Sequence, residues 1–175
     1  MENILDYFIA EPNKEYHIRE LARIAKKSPA TISKELKKLE EKKILVSQNK
    51  FNHLTFKPNL SKEFFFIKRD YNLKQIYDSG LIKFLEDLFN FPEAIVLFGS
   101  YEKGEDNEKS DIDILIVSNE KKETDLKKFE KILKKKIQIF VHSKKELDKL
   151  KEKNPELVNS WVNGKVIYGY WELFK

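Results

Sequence analysis

The sequence predicts an α+β protein in three stretches: a helix-and-hairpin unit over residues 1–60, a helical connector over 61–91, and a small mixed sheet backed by helices over 92–175. Three observations carry this. Residues 18–41 show apolar side chains at helical spacing, followed by two short strand-like runs. Residues 61–91 are rich in aromatics and balanced in charge. Residues 92–175 alternate short branched apolar runs with capped helical segments, the pattern of a sheet with helices packed on it.

In the first stretch, Ile4–Ile9 reads as an opening helix. In IRELARIA, Ile18, Leu21, Ala22 and Ala25 share one helical face. Ser28 is suited to an N-cap and Pro29 to the first helical position of the next helix. Ile32, Leu36 and Leu39 then form its inward stripe, while Ala30, Lys34, Lys37 and Glu41 lie opposite, flanked by Thr31 and Lys38. Two helices joined by a short turn, the second basic on its outer face, match a helix-turn-helix. Thr31, Lys34, Lys37 and Lys38 are the expected DNA contacts. A hairpin is expected in ILVSQNKFNHLTFK with its turn at Asn49-Lys50, and Lys50 is the one basic residue at that tip.

The net charge is +5, and the excess sits mainly in residues 1–60, with 12 basic against 8 acidic side chains. This suits an anionic partner there. With no cysteine, disulfides and thiolate metal sites are excluded. No apolar run approaches the roughly 18 residues of a membrane span, and the first residues lack a signal pattern. A soluble cytoplasmic protein that does not engage membranes is expected. In the connector, Ser61 is expected to cap a helix running to about Tyr71. A second helix carries Leu81, Ile82, Leu85, Leu88 and Phe89, with Ser79-Gly80 as the break. The connector aromatics, Phe66, Tyr77 and Phe91 among them, read as packing between two domains.

The chemistry concentrates in LFGSYEKGEDNEKSDIDILIV, Leu97 to Val117. Ala94–Phe98 is a buried-strand run that ends in a tight turn at Gly99-Ser100. Gly99 permits close approach to the backbone. The Ser100 hydroxyl, with N–H groups opening a helical turn, can hold phosphate oxygens. YEKGEDNEK reads as a loop. In SDIDILIV, alternation sends Asp111 and Asp113 to one face and Ile112, Ile114 and Ile116 to the other. Paired carboxylates at that spacing suit a hard divalent ion, Mg²⁺ or Mn²⁺. A metal–phosphate site implies a nucleoside triphosphate. A P-loop is excluded because Glu105-Asp106 stands where Lys-Ser/Thr is required, and a calcium loop because Val117 stands at its closing Glu.

A Gly-Ser turn, about a dozen residues, then Asp-x-Asp inside an apolar strand resembles the DNA polymerase beta-like nucleotidyltransferase superfamily. The likeness is greatest to its minimal nucleotidyltransferases, whose archaeal members often carry an N-terminal winged helix. The helix, helix, hairpin order of residues 1–60 is similar to such a winged helix-turn-helix domain. The resemblance implies that Gly99 and Ser100 hold the triphosphate, that Ser110 supports it, and that Asp111 and Asp113 hold the metals. Lys103, where the family often has an arginine, would neutralise phosphate charge. A third carboxylate usually comes from a neighbouring strand. The corresponding strand here is Ile137–His142 and the corresponding position is Gln138, which is neutral and no base. Either that alignment is off, another acid such as Glu130 serves, or the domain is weakened; His142 is too far along the strand to substitute. Two functions follow as expectations. One is a metal-dependent transfer of NMP from an NTP, with ATP as the expected donor, to a hydroxyl of a protein, a small molecule or an RNA end. The other is a DNA-binding regulator, expected as a homodimer, whose weakened transferase domain binds nucleotide.

In the remainder, Thr124 is expected to cap a helix carrying Leu126, Phe129, Ile132 and Leu133, with Lys134–Lys136 complementing its C-terminus. Ser143 with Glu146 forms a capping box, Asn154-Pro155 starts another helix that Gly164 closes, and Val166–Tyr168 is expected as a last strand.

Overall fold

The protein's structure, a computed structural model, describes residues 3–50 and 53–172. It is α+β with two sheets, and its chain divides into two compact units, residues 1–68 and 69–175. No helix among the described residues is long and apolar enough to cross a membrane.

The N-terminal unit runs α1 (Ile4–Ala10), β1 (Tyr16–His17), α2 (Ile18–Ile24), α3 (Pro29–Glu41), β2 (Leu45–Lys50) and β3 (His53–Pro58). Its sheet has the order β1-β3-β2, antiparallel throughout. The Ser28 hydroxyl accepts from the Thr31 N–H at 3.1 Å, and Pro29 occupies the first turn of α3; such a cap is worth about 1 kcal/mol. Ile32 and Leu36 are fully buried with Phe8, Leu21 and Phe56. Asn49 and Lys50 are paired strand residues opposite Leu54 and His53, so they are not the expected hairpin turn. The pairing of Leu45 with Pro58 sets a register whose midpoint falls beyond them.

The second unit begins within α4 (Lys62–Ser79). This helix continues eight residues past the expected end at Tyr71, because nothing breaks it before Gly80 at φ 76°. Then follow α5 (Leu81–Leu88), β4 (Ala94–Phe98), α6 (Gly99–Lys103), β5 (Ile112–Val117), α7 (Lys127–Leu133), β6 (Ile137–His142), α8 (Lys144–Lys153), α9 (Pro155–Val162) and β7 (Lys165–Gly169). The sheet order is β6-β5-β4-β7. β5 and β6 are parallel, which requires a crossover, and α7 provides it. The other pairs are antiparallel.

Both faces of this sheet are covered. Ile95, Leu97, Ile112, Ile114 and Ile116 pack with Leu81, Leu85 and Phe129 of α5 and α7. Val96, Phe98, Leu115 and Val117 pack with Leu147, Val158 and Trp161 of α8 and α9. Two covered faces explain why β4 and β5 read as continuous apolar runs. Phe66, Tyr77 and Phe91 are exposed, so these three connector aromatics do not serve as core. Thr124 does not cap α7. The Asp125 carboxylate accepts from the Lys127 N–H at 3.2 Å, and the helix starts at Lys127. The capping box expected at Ser143 is present, and the Asn154 side chain caps the helix that Pro155 opens.

Candidate active site

β4 ends at Phe98 in extended conformation, and Gly99 turns the chain at φ 80° into the short α6. The helical turn expected to open at Gly99-Ser100 extends further than the expected loop over Tyr101–Lys109 allows: residues 101–103 belong to α6, with Tyr101 and Glu102 buried, and the loop proper begins after Gly104 at φ 73°. Burying Glu102 is possible because the Arg69 guanidinium pairs with it. Gly99 packs directly on the next strand: a Cβ there would lie 2.4 Å from Asp113 Oδ2. The turn and the acid are therefore in contact, with room only for hydrogen at that Cα.

On β5, Asp113 stands between Phe98 of β4 and Gln138 of β6 in register. It shares its face with Leu115 and Val117, one side of the sheet, while Ile112, Ile114 and Ile116 occupy the other, as alternation requires. Partial burial, and secondarily the charge of Asp111, holds the Asp113 carboxyl above the usual carboxylate range. Gln138 donates from Nε2 to Asp111 Oδ2 at 2.6 Å. Gln138 of β6 therefore lies beside both aspartates, paired in register with one and hydrogen-bonded to the other. Glu130 is occupied elsewhere: its Oε1 accepts from the Ile137 N–H at 3.2 Å, and its other oxygen lies 3.7 Å from Lys136. His142 lies at the far end of β6 with its ring 5.2 Å from that of Trp161, and it belongs to the packing there.

The loop between turn and acids is tied down by a network that sequence reading did not find. Asp106 is buried, accepts from Asn72 Nδ2 at 2.7 Å and pairs with Lys135 Nζ at 3.1 Å. Lys135 also donates to the Asn107 carbonyl at 2.6 Å. Ser110 uses its hydroxyl to accept from the Asn107 N–H at 3.0 Å, so its first role is to close the loop just before Asp111. Lys103 is exposed at the end of α6.

A metal ion can be judged against these side chains. Among the described residues no group of three or more His, Cys, Asp or Glu side chains gathers as a ligand set. No described lysine or arginine forms an ion pair with Asp111 or Asp113; Lys135 and Lys136 pair with Asp106 and Glu130. Two neighbouring carboxylates without a cationic partner, one of them resisting ionisation, suit one hard cation that takes its remaining oxygens from phosphate.

A profile of the nucleotidyltransferase domain family matches residues 78–168, just over half of the chain and the span holding both the turn and the acids. The chain belongs to this family. Its nucleotidyltransferase domain supports nucleotidyl transfer as the general function. Neither curated proteins nor solved structures yielded a match. Within the domain, the structure brings together Gly99, Asp111, Asp113 and Gln138. In the N-terminal unit, Thr31, Lys34, Lys37 and Lys38 are all exposed on α3, and the Lys50 side chain lies outside the described residues.

Proposed function

We propose that the nucleotidyltransferase domain moves a nucleoside monophosphate from an NTP, with ATP as the expected donor, to an acceptor hydroxyl. The contact between the Gly99 turn and Asp113 carries this reading, because it sets a phosphate-sized turn against a carboxylate pair. Gly99 and Ser100 would hold the triphosphate, with Lys103 adding positive charge and Ser110 fixing the approach to Asp111. Asp111 and Asp113 would hold Mg²⁺ or Mn²⁺. When bound, such an ion neutralises phosphate charge and polarises the phosphoryl oxygens. The acceptor oxygen bonds to the α-phosphorus, the bond from that phosphorus to the bridging oxygen breaks, and pyrophosphate leaves with the electron pair. The hydroxyl proton passes to solvent, since Gln138 is no base.

The Gln138 amide on Asp111 favours a second reading alongside the first: nucleotide binding with slow transfer, in a regulator. The two are separated by incubating the full chain with each labelled NTP and Mg²⁺ and measuring pyrophosphate release. Gln138→Glu, or the shorter Gln138→Asp, is expected to raise release by about 10²-fold, the lower end of what a placed base contributes. If the wild type is already fast and neither variant exceeds it, the slow-transfer reading fails. If neither wild type nor variants release pyrophosphate with any NTP, the transfer reading fails.

We further infer that residues 1–60 form a winged helix-turn-helix of the archaeal type that binds DNA as a homodimer through α3. The order α1, β1, α2, α3, β2, β3 and the basic outer face of α3 support this. Lys34→Ala with Lys37→Ala is expected to weaken binding to any duplex and to flatten the salt dependence by about two contacts. Unchanged affinity and slope would remove α3 as the recognition helix.

A further inference from the structure

We propose that a lysine-rich groove beside Asp111 holds the acceptor, and that this acceptor is a single-stranded nucleic acid bound through its phosphodiester backbone. The assignment rests on the transfer reading above and names its substrate class.

The groove is open, about 550 Å³ in volume, and is lined by Asp111 together with Lys109, Lys127, Lys131, Lys134, Lys135 and Lys136. These lysines come from three segments: the loop before β5, helix α7, and the turn into β6. Lys135 and Lys136 are compensated by Asp106 and Glu130. The other four form no ion pair among the described residues, and all four are exposed. Glu108 and Glu130 also line the groove, which leaves cations in excess.

Helix stabilisation does not account for this set. Lysines at the end of α7 are favourable there, which explains Lys131 and Lys134. Lys127 opens the same helix, where the dipole disfavours a cation, and Lys109 is on another segment altogether. Convergent like charges repel one another, and a polyanion relieves that repulsion. No aromatic side chain lines the groove, so bases have nothing to stack on and recognition goes through phosphates.

Position separates this site from that of the donor. In the order β6-β5-β4, the Gly99 turn leaves from β4 on one side of β5, while the groove lies toward α7 and β6 on the other. Of the residues assigned to the donor, only Ser110 and Asp111 border it, while Gly99, Ser100, Lys103 and Asp113 do not. A strand seated on the lysines brings its terminal hydroxyl to the acid pair from the side opposite the donor phosphates. That hydroxyl oxygen forms the new bond to the α-phosphorus, its proton goes to solvent, and pyrophosphate departs.

The test uses the full chain carrying Lys34→Ala and Lys37→Ala throughout, so that any contribution from α3 is constant. Anisotropy of a labelled single-stranded RNA of about 12 nucleotides is measured against salt, and binding of a non-hydrolysable ATP analogue with Mg²⁺ is measured separately. Lys131→Glu with Lys134→Glu is expected to weaken RNA binding at least tenfold and to reduce the salt slope by about 1.5, with analogue binding retained. The opposite pattern, RNA binding retained and analogue binding lost, would make the groove a donor site and overturn the proposal. So would RNA binding unchanged by the variant, or binding of duplex DNA lost in equal measure. Asp113→Ala keeps the two readings apart: RNA binding that survives it while transfer stays absent in every variant means that the transfer reading, not the groove, has failed.

Discussion

Gly99→Ala is expected to depress nucleotidyl transfer about as far as Asp113→Ala does, by at least 10²-fold, although it removes no functional group. Two effects add. At φ 80° an L side chain is strained, by roughly 1–2 kcal/mol. The new methyl would also sit 2.4 Å from Asp113 Oδ2 and 3.4 Å from its Cγ, so the carboxylate must rotate or β4 and β5 must part. Displacing a reacting group by about 1 Å is enough for a hundredfold loss. The check is pyrophosphate release alongside a thermal melt. Transfer should collapse while most of the folded stability survives. Wild-type transfer in Gly99→Ala would show that the turn and the acid do not act together.

Trp161→Ala is expected to be the most damaging single change to stability, at about 3–5 kcal/mol, or a fall of roughly 10–15 °C in melting temperature. Trp161 is fully buried, and its ring centroid lies 6.3 Å from Phe98 and 6.4 Å from Phe140. Its removal leaves a void between α9 and the sheet, on the face that carries Asp113. Phe98 immediately precedes Gly99, so the cavity also loosens the turn. Trp161→Phe is expected to cost less than half as much. It keeps an aromatic ring and discards the Nε1–H, which is buried without a hydrogen-bond partner. Trp171, packed against the same cluster, remains as a fluorescent reporter of unfolding. Equal losses for Ala and Phe would mean that the ring contacts contribute little.

Features set by neighbours in sequence were legible in advance. Ser28-Pro29 announced the start of α3, and the alternation in SDIDILIV put both aspartates on one face. The family resemblance alone sets Gln138 beside the Asp-x-Asp strand; periodicity within Ile137–His142 does not fix its register against Asp113, which the β5–β6 pairing supplies. The end of α4 was not legible. Its buried line is Phe64, Lys68, Asn72 and Ile76, two of them polar, so no apolar stripe marks how far the helix runs, and Gly80 ends it. Thr124 was a reasonable cap, but the helix starts later, at Lys127, with Leu126 at the N-cap and the Asp125 carboxylate accepting from the Lys127 N–H. The Asp106 network was hidden for another reason: its partner Asn72 lies 34 residues away, and local sequence cannot distinguish such an acid from a solvated one. Lys134, Lys135 and Lys136 look identical as letters, yet only the middle one is drawn in to a buried carboxylate.

Gln138 is solvent-exposed at the rim of β6, and glutamine and glutamate have nearly the same shape. Exchanging one for the other changes no shape, but it replaces the amide that donates to Asp111 Oδ2 with a carboxylate that repels it. The glutamine therefore holds the acid pair together without a cation, whereas a glutamate there would make the resting site depend on one.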